Sequence, residues 1–243
     1  MFTIREYAMP ETLDEAYTIL KSRKGNQILG GCAWLGKKRI NIAVDLTKCG
    51  LDYIREDDEQ IEIGAMTSYR SVETSDILKK YFNGVIADSV SSIIGTQFRN
   101  TVTVGGSVYG RFGFSDFLTP LLTLDTSVVL YKRGSIPLET FMTMPYEKEI
   151  IEKIVIKKDG RQSSYQMFRN SRGDFPILNL AASRTEAGQW IVTVGARGPK
   201  AIRAEKTAAF LSDKLSQNAL KSEDVEAVIQ EAGEILVSEV TFT

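Results

Sequence analysis

The order of apolar and polar residues predicts that the chain begins with alternating strands and a helix. Apolar residues recur at helical intervals over residues 13–20, directly after Thr12, which has capping-box spacing to Glu15. The short apolar stretch QIL then predicts a strand that leads straight into Gly30 and Gly31, and INIAVDL predicts the next strand. The chain is therefore predicted to start as β-α-β-loop-β.

The middle of the chain mixes both periodicities. QIEIGAM alternates polar and apolar residues as a strand does, and helices are predicted near residues 68–82 and 85–94. A Thr/Val-rich strand is predicted to end at Gly105 and Gly106. After it, DFLTPLL has helical spacing and SVVLYKR is typical of a strand.

The last third of the chain changes its pattern. After a strand in IIEKIVIKK, three strands are predicted in SSYQMFR, PILNLAASRT and WIVTVGAR, followed by helices in AEKTAAFL and at residues 223–236. Consecutive strands followed by helices favour a separate α+β domain. We therefore expect a boundary near residue 160, with residues 1–160 in one domain and residues 161–243 in a C-terminal domain built on a three-stranded antiparallel sheet.

The amino-acid composition limits the classes of function that the protein can have. The chain has 243 residues, 43% of them hydrophobic and 25% charged, as expected of a globular protein with a sizeable core. Its net charge of −1 gives no field that would attract nucleic acid or an anionic membrane. No charged-then-apolar leader and no apolar run of about 18 to 20 residues is present, so we expect a cytoplasmic protein without a membrane partner.

The absence of histidine is the most restrictive observation. It excludes nucleophiles activated by His and removes the commonest zinc ligand and the usual proton shuttle near neutral pH. With only Cys32 and Cys49, the chain cannot by itself build a cluster or zinc site that takes about four cysteines. We assign no catalytic residue and no metal ligand, and a redox cofactor would have to be organic or lie on a partner.

Two glycine pairs are candidates for binding an anion. In ILGGCAWLGKK the spacing from Gly31 is nearly that of a P-loop, but Lys38 stands where that motif needs a hydroxyl for magnesium. Backbone N–H groups at Gly30-Gly31 and Gly105-Gly106 could instead bind a pyrophosphate without a metal. Either pair could equally be a simple turn.

Side chains close to the second pair extend this hypothesis. Thr103 could donate its hydroxyl to the anion, and Asp116 suits sugar hydroxyls, although it could also cap the helix that DFLTPLL predicts. Arg111 could face a diphosphate or lie in solvent.

The stretch QFRNTVTVGGSV…SDFLTPLLTLD resembles, without gaps, the flavoprotein subunit of xanthine-dehydrogenase-type molybdenum hydroxylases, which include carbon monoxide dehydrogenase. LGGCAWL occupies the place of that family's first glycine loop, and MFRNSRGDFPILNLAAS and VGARGPKAIRAEKTAAFL are similar to later family segments. The resemblance covers essentially the whole chain. It implies an α+β fold of the PCMH-like type, in which the FAD-binding domain has subdomains at about residues 1–53 and 54–160.

The resemblance also implies which residues bind FAD. Two loops would surround the pyrophosphate, Asp116 would bind a cofactor hydroxyl, and Ile151 and Arg169 would lie near the flavin ring. The implied cofactor-binding residues are Leu29, Gly30, Gly31, Cys32, Ala33, Trp34, Arg99, Asn100, Thr103, Gly105, Gly106, Ser107, Asp116, Ile151 and Arg169. Cys32-Ala33 replace the usual Thr-Asp of the first loop, so the pyrophosphate would depend more on backbone N–H groups.

The function that the resemblance implies is electron transfer within a larger complex. An iron–sulfur subunit and a large molybdopterin-binding subunit would be the partners, and the flavin would pass electrons on, with NAD as a possible acceptor. Since the first loop has lost polar side chains, the alternative is a subunit that keeps the fold but serves as a scaffold without flavin.

Overall fold

The computed structural model describes residues 3–33, 39–215 and 222–240. The chain forms two compact units whose segments alternate along the sequence. Unit 1 comprises residues 1–77, 95–111 and 126–157, and unit 2 comprises residues 78–94, 112–125 and 158–243. The predicted domain boundary near residue 160 stays a prediction. Two segments that it assigns to the N-terminal domain, 78–94 and 112–125, lie in unit 2.

Unit 1 begins with a small parallel sheet. Its elements are β1 (Thr3–Ala8), α1 (Leu13–Ser22), β2 (Gln27–Leu29) and β3 (Arg39–Asp45), and the strand order is β1-β3-β2. The predicted β-α-β-loop-β start is confirmed. Helix α1 begins where the capping box places it, because the Thr12 hydroxyl accepts a 3.2 Å hydrogen bond from the Glu15 N–H.

The second sheet of unit 1 is antiparallel, with the order β4-β5-β8-β6-β7. Its strands are β4 (Ile54–Glu56), β5 (Gln60–Gly64), β6 (Thr126–Leu130), β7 (Gly134–Pro137) and β8 (Ile151–Lys157). Ile61, Ile63 and Ile154 are completely buried in it. The sequence pattern predicted β5, β6 and β8 but missed β4 and β7, which are short and more exposed.

Short helices connect these strands. They are α2 (Tyr69–Thr74), α3 (Asp76–Lys80), α4 (Val85–Ser91), α5 (Thr96–Thr101), α6 (Val104–Gly110), α7 (Leu118–Leu121) and α8 (Leu138–Thr143), with 3₁₀ turns at Thr47–Cys49 and Phe82–Gly84. The helix predicted over residues 68–82 is therefore split in two, and the helix predicted in DFLTPLL is only one turn long.

One predicted strand is wrong. The Thr/Val-rich stretch before Gly105-Gly106 is not a strand but the junction of α5 and α6, and an isolated bridge between Ser68 and Thr103 is all that remains of strand pairing there. The Thr103 hydroxyl accepts a 3.3 Å hydrogen bond from the Gly106 N–H and so caps α6. The glycines consequently form the first turn of a helix.

Unit 2 contains an antiparallel sheet covered by two long helices. Its elements are β9 (Gln162–Phe168), β10 (Leu178–Arg184), β11 (Trp190–Gly195), β12 (Ile202–Arg203), α9 (Glu205–Leu215) and α10 (Ser222–Glu239). The order is β12-β11-β10-β9, so the sheet has four strands where the sequence predicted three. The extra strand has only two residues, too few for a recognisable alternation. The predicted α+β class is confirmed.

The two faces of this sheet differ in chemistry. Val192 packs with Ala208 and Leu211 of α9 in an apolar cluster. The other face contacts α7 through buried polar groups, among them Asn179, whose side chain oxygen accepts a 3.0 Å hydrogen bond from the Thr119 hydroxyl. Within the described residues, no helix combines the length and the hydrophobicity needed to cross a membrane.

Candidate functional site

The two glycine loops of unit 1 touch backbone to backbone. Gly31 has a φ of +62°, and a Cβ on it would lie 1.7 Å from the carbonyl oxygen of Thr101. A Cβ on Gly106 would lie 3.1 Å from the carbonyl oxygen of Gly30. At Gly31 only glycine allows this approach, and at Gly106 a side chain would be crowded. The two glycine pairs that the sequence singled out therefore lie against each other.

The N–H groups of the second loop already have partners inside the protein. Gly105 donates to the carbonyl oxygen of Ala65 at 2.8 Å, Val104 donates to that of Thr67 at 2.9 Å, and Gly106 donates to Thr103. Ser107 is buried, and its hydroxyl donates back to the Thr103 carbonyl at 3.0 Å. The second loop therefore supports the first loop, while its own N–H groups are used inside the protein.

The first loop has N–H groups that are open. In the part of the chain that the structure describes, the backbone N–H groups of Gly31, Cys32 and Ala33 donate to no other group. These three residues are half-buried, and Cys32 shares the left-handed conformation of Gly31 with a φ of +60°. Consecutive unpaired donors at a bend suit an anion such as a diphosphate. The first loop therefore fits the pyrophosphate of a dinucleotide cofactor.

Arg99 has a structural partner. Its Nε donates to Glu73 Oε2 at 2.9 Å and its Nη2 donates to Glu73 Oε1 at 3.1 Å, and the residue is 4% exposed. Burial raises the pKa of Glu73, but the hydrogen bonds from Arg99 and Arg70 outweigh it, so that the pKa lies below its usual value. This ion pair fixes α5 against α2. Asn100 is exposed beside it.

Arg111 does not lie in solvent, which was one of its two expected places. It is 3% exposed, with its guanidinium 4.0 Å from the ring centre of Phe141 and 4.6 Å from that of Tyr146. Its Nη1 donates to the carbonyl oxygen of Met144, and burial lowers its pKa. The arginine therefore packs between aromatic rings in unit 1.

Asp116 forms a buried polar cluster with two other residues of unit 2. Its Oδ1 accepts a hydrogen bond from the Tyr165 hydroxyl and another, 2.8 Å long, from Arg169 Nη2. Burial raises the pKa of Asp116, against the opposing effects of Tyr165 and Arg169. Asp116 is not a helix cap, because α7 begins at Leu118 and the hydroxyl that accepts from the Leu118 N–H belongs to Ser115.

The other residues that the sequence implied for FAD binding lie either in the interior or outside the described part of the chain. Leu29 ends β2 in the interior, and Ile151 begins β8 at 5% exposure. Trp34, like Lys38 of the near P-loop, lies outside the described residues. After that loop comes strand β3, whereas a P-loop is followed by a helix.

In the described part of the chain, no group of His, Cys, Asp or Glu side chains could hold a metal ion.

Sequence reasoning missed Tyr165. It lies in the middle of β9, opposite Ala181, where an aromatic residue is typical of any strand. Its hydrogen bond to Asp116 distinguishes it, and that contact joins residues 49 positions apart. No local pattern could have identified it.

Comparison with known proteins adds independent information. The family model for the FAD binding domain in molybdopterin dehydrogenase matches residues 2–158. The 6-hydroxypseudooxynicotine dehydrogenase complex subunit alpha of Paenarthrobacter nicotinovorans is 25% identical over 250 residues, which cover 93% of this chain and 83% of that protein. The nicotinate dehydrogenase FAD-subunit of Eubacterium barkeri is 27% identical over 134 residues, covering 51% of this chain and 45% of the relative.

A solved structure has the same fold. Carbon monoxide dehydrogenase from Hydrogenophaga pseudoflava, in a form that lacks the Mo-pyranopterin moiety of the molybdenum cofactor, matches with a TM-score of 0.82 at 21% identity. The match covers 98% of this chain and 88% of the other.

Proposed function

Because the chain belongs to the family of FAD-binding domains in molybdopterin dehydrogenases, we propose that it is the FAD-binding electron-transfer subunit of a multi-subunit molybdenum-dependent dehydrogenase. The family resemblance seen in the sequence is confirmed, and FAD is the cofactor. The chain is thus an oxidoreductase subunit. What we propose is which residues bind FAD and which route the electrons take.

The first glycine loop carries the proposal. Among the described residues, three consecutive N–H groups, from Gly31 to Ala33, have no acceptor, and the contact of Gly31 with Thr101 fixes their position. This arrangement binds a pyrophosphate through the backbone alone, which removes the need for the Thr-Asp side chains that Cys32-Ala33 replace. Thr103 and Gly106 take part by holding the second loop beneath the first.

The remaining site residues have distinct proposed roles. Asp116 binds a hydroxyl of the cofactor through its carboxylate Oδ2, and Ile151 provides an apolar contact for the ring. Arg99 and Ser107 act from within the protein, since both side chains are bonded internally. Leu29, Gly30 and Gly105 contribute backbone shape, and Asn100 remains available at the surface.

The partners follow from the same proposal. A flavin held by this chain would supply the electron transfer between iron–sulfur clusters on one subunit, served by a large molybdopterin-binding subunit, and NAD or another acceptor. The relative from Paenarthrobacter nicotinovorans is by name a complex subunit. We propose the cytoplasm as the location.

The test is reconstitution of the purified full-length chain with FAD. We expect flavin absorbance that remains after removal of free FAD and a thermal midpoint that rises with FAD concentration, because a ligand that binds only the folded state stabilises it. A chain that retains no flavin and gains no stability would contradict the proposal.

A scaffold subunit without flavin is the second candidate. It is favoured by one observation, that the first loop presents Cys32 and Ala33, which lack the hydroxyl and carboxylate of the family pattern. Co-purification with an iron–sulfur and a molybdopterin subunit but without flavin would support the scaffold. Co-purification with bound FAD would exclude it.

A further inference from the structure

In the described residues, the side-chain donors that reach Asp116 bind one of its two carboxylate oxygens. Oδ1 accepts from the Tyr165 hydroxyl and from Arg169 Nη2, and the Asp116 and Arg169 side chains are each only 7% exposed. In the described residues, no side-chain donor reaches Oδ2. The carboxylate also interacts with the Asp116 backbone N–H, and Oδ2 is not one of the fully buried side-chain atoms that lack a hydrogen-bond partner. A hydrogen bond from a ligand hydroxyl to Oδ2 would add to this set of donors.

Both donors are themselves fixed. Arg169 Nη1 donates to the carbonyl oxygen of Asp174 at 3.3 Å, and its Nε lies 3.1 Å from Met167 Sδ. Tyr165 is anchored by its strand, where it pairs with Ala181. The plane of the Asp116 carboxylate is therefore set by two groups that cannot easily turn.

Towards the Asp116 carboxylate, both groups act as donors. The Arg169 guanidinium keeps its protons at all ordinary pH values. Burial, followed by the neighbouring Asp116 charge, raises the pKa of Tyr165, so its hydroxyl stays protonated. Neither side chain can therefore reverse its hydrogen bond and release Oδ1.

We propose that Tyr165 and Arg169 are positioning residues that hold Asp116 with Oδ2 directed to accept a hydrogen bond from a hydroxyl group of FAD. This inference rests on the proposed function. It gives Arg169 a different role from the one the sequence implied, because the arginine acts through Asp116 and does not itself contact the flavin ring. It also adds Tyr165 to the site.

A structural role and a positioning role differ in their pH dependence. The charged and titratable groups that act on Asp116 in the described residues are Tyr165 and Arg169. Since Tyr165 donates to the ionised carboxylate, its removal raises the pKa of Asp116 further. A ligand hydroxyl binds the ionised form, so FAD affinity decreases as pH falls through that pKa, and the decrease starts at a higher pH when Tyr165 is replaced.

The experiment compares the full-length chain with its Tyr165→Phe and Asp116→Asn variants, by FAD titration from pH 4 to pH 8. The matched control is Tyr146→Phe, because the Tyr146 hydroxyl donates to the Gly110 carbonyl and not to a carboxylate. We expect both site variants to bind FAD about tenfold more weakly at neutral pH, the value of one hydrogen bond to a charged group. Only Tyr165→Phe should move the pH profile upward.

Two further measurements keep the result interpretable. Circular dichroism melts without FAD show whether each variant is folded, and Arg169→Lys, which keeps the charge but not the planar fork, provides a second positioning variant with weaker FAD binding expected. FMN and ADP titrations identify the hydroxyl: weaker FMN binding by Tyr165→Phe assigns the ribityl chain, and weaker ADP binding assigns the adenosine ribose.

The possible failures are distinguishable. If the unmodified chain does not bind FAD, the proposed function and the inference fall together. If Asp116→Asn weakens binding while Tyr165→Phe and Arg169→Lys both match Tyr146→Phe, the inference is wrong and the proposed function stands. An unmoved pH profile in a folded Tyr165→Phe, or FMN and ADP affinities that are both unchanged, would likewise overturn it.

Discussion

At the scale of single residues, Gly31 is the glycine for which the structure leaves least room for a side chain. Its positive φ disfavours any side chain, and its Cα faces the carbonyl oxygen of Thr101. Gly50 has a similar φ of +70°, but a Cβ there would meet nothing within 4 Å. The two glycines therefore separate the cost of the backbone conformation from the cost of the close approach.

Gly31→Ala should consequently be much more damaging than Gly50→Ala. We expect Gly50→Ala to lower the free energy of unfolding by about 1 kcal/mol, the cost of a left-handed alanine. Gly31→Ala should cost about 2 kcal/mol more, because the loops must move apart, and should also weaken FAD binding. Urea unfolding and FAD titration of both variants measure this, and equal losses would show that the contact with Thr101 is unimportant.

At the scale of elements, α5 and α6 place the second glycine loop, and both depend on polar side chains. Arg99 joins α5 to α2 through Glu73, and Thr103 begins α6. The charged group of Arg99 binds Glu73, and the hydroxyl of Thr103 binds the N–H of Gly106. Their effect on the site is exerted through the position of the helices that contain them.

Replacing Glu73 by Gln should destabilise the protein in a pH-dependent manner. The folded-state pKa of Glu73 is lowered, so its ion pair stabilises the fold above about pH 4.5 and this contribution is lost as pH falls through the folded-state pKa. We expect Glu73→Gln to cost about 3 kcal/mol at pH 7, because the buried Arg99 guanidinium loses the carboxylate that accepts its two hydrogen bonds. The cost should shrink below pH 4.5.

The control is Glu147→Gln, which removes an exposed ion pair with Arg133. That change should cost less than about 1 kcal/mol at either pH. Urea unfolding at pH 7 and at the lowest pH where the chain stays folded gives both numbers. Equal costs for Glu73→Gln and Glu147→Gln at pH 7 would contradict the role given to Arg99.

Removing the cap of α6 should affect both stability and cofactor binding. Thr103→Ala takes away the acceptor of the Gly106 N–H and should cost about 1 kcal/mol. Thr103→Ser keeps the hydroxyl and should cost clearly less. Thermal melts and FAD retention compare the two variants, and identical behaviour of alanine and serine would show that the hydroxyl is dispensable.

The sequence predicted the helices and strands well where an apolar pattern extends over many residues. It predicted them poorly where one side chain determines whether the backbone is helical or extended. Strands β8 to β11 and helices α9 and α10 follow their apolar patterns. The Val-Thr-Val run before Gly105 favours a strand by composition, yet the Thr103 cap makes it helical. For the site, the glycine pairs marked two candidate loops and the family resemblance implied that both surround one pyrophosphate. The partners of Arg99 and Asp116, in contrast, lie 26 and 49 positions away along the chain.

At the scale of the whole molecule, the chain passes back and forth between its two compact units. The sheet of unit 2 is built from residues after 158, but its polar face packs on α7, which belongs to the segment 112–125. Thr123 and Ser183 also meet there, where the Ser183 hydroxyl donates to the Thr123 carbonyl at 2.6 Å.

A fragment of residues 158–243 should therefore not fold independently. Without the segment 112–125, buried polar groups such as Asn179 and Ser183 would lose their partners on one face of the sheet. We expect a broad, uncooperative thermal transition and poorly dispersed amide signals, in contrast to the full chain. A cooperatively folded fragment would instead support an independent domain starting near residue 160.

The pairing of β5 with β8 has a consequence for how the protein is made. The two strands are neighbours in the sheet, yet β5 leaves the ribosome about ninety residues before β8, a delay of about 5 to 18 s at ordinary translation speed. During that interval Ile61 and Ile63 have no β8 to cover them. The nascent chain therefore presents an apolar strand edge to chaperones and to neighbouring nascent chains, and slowed translation after residue 64 should lower the yield of folded protein.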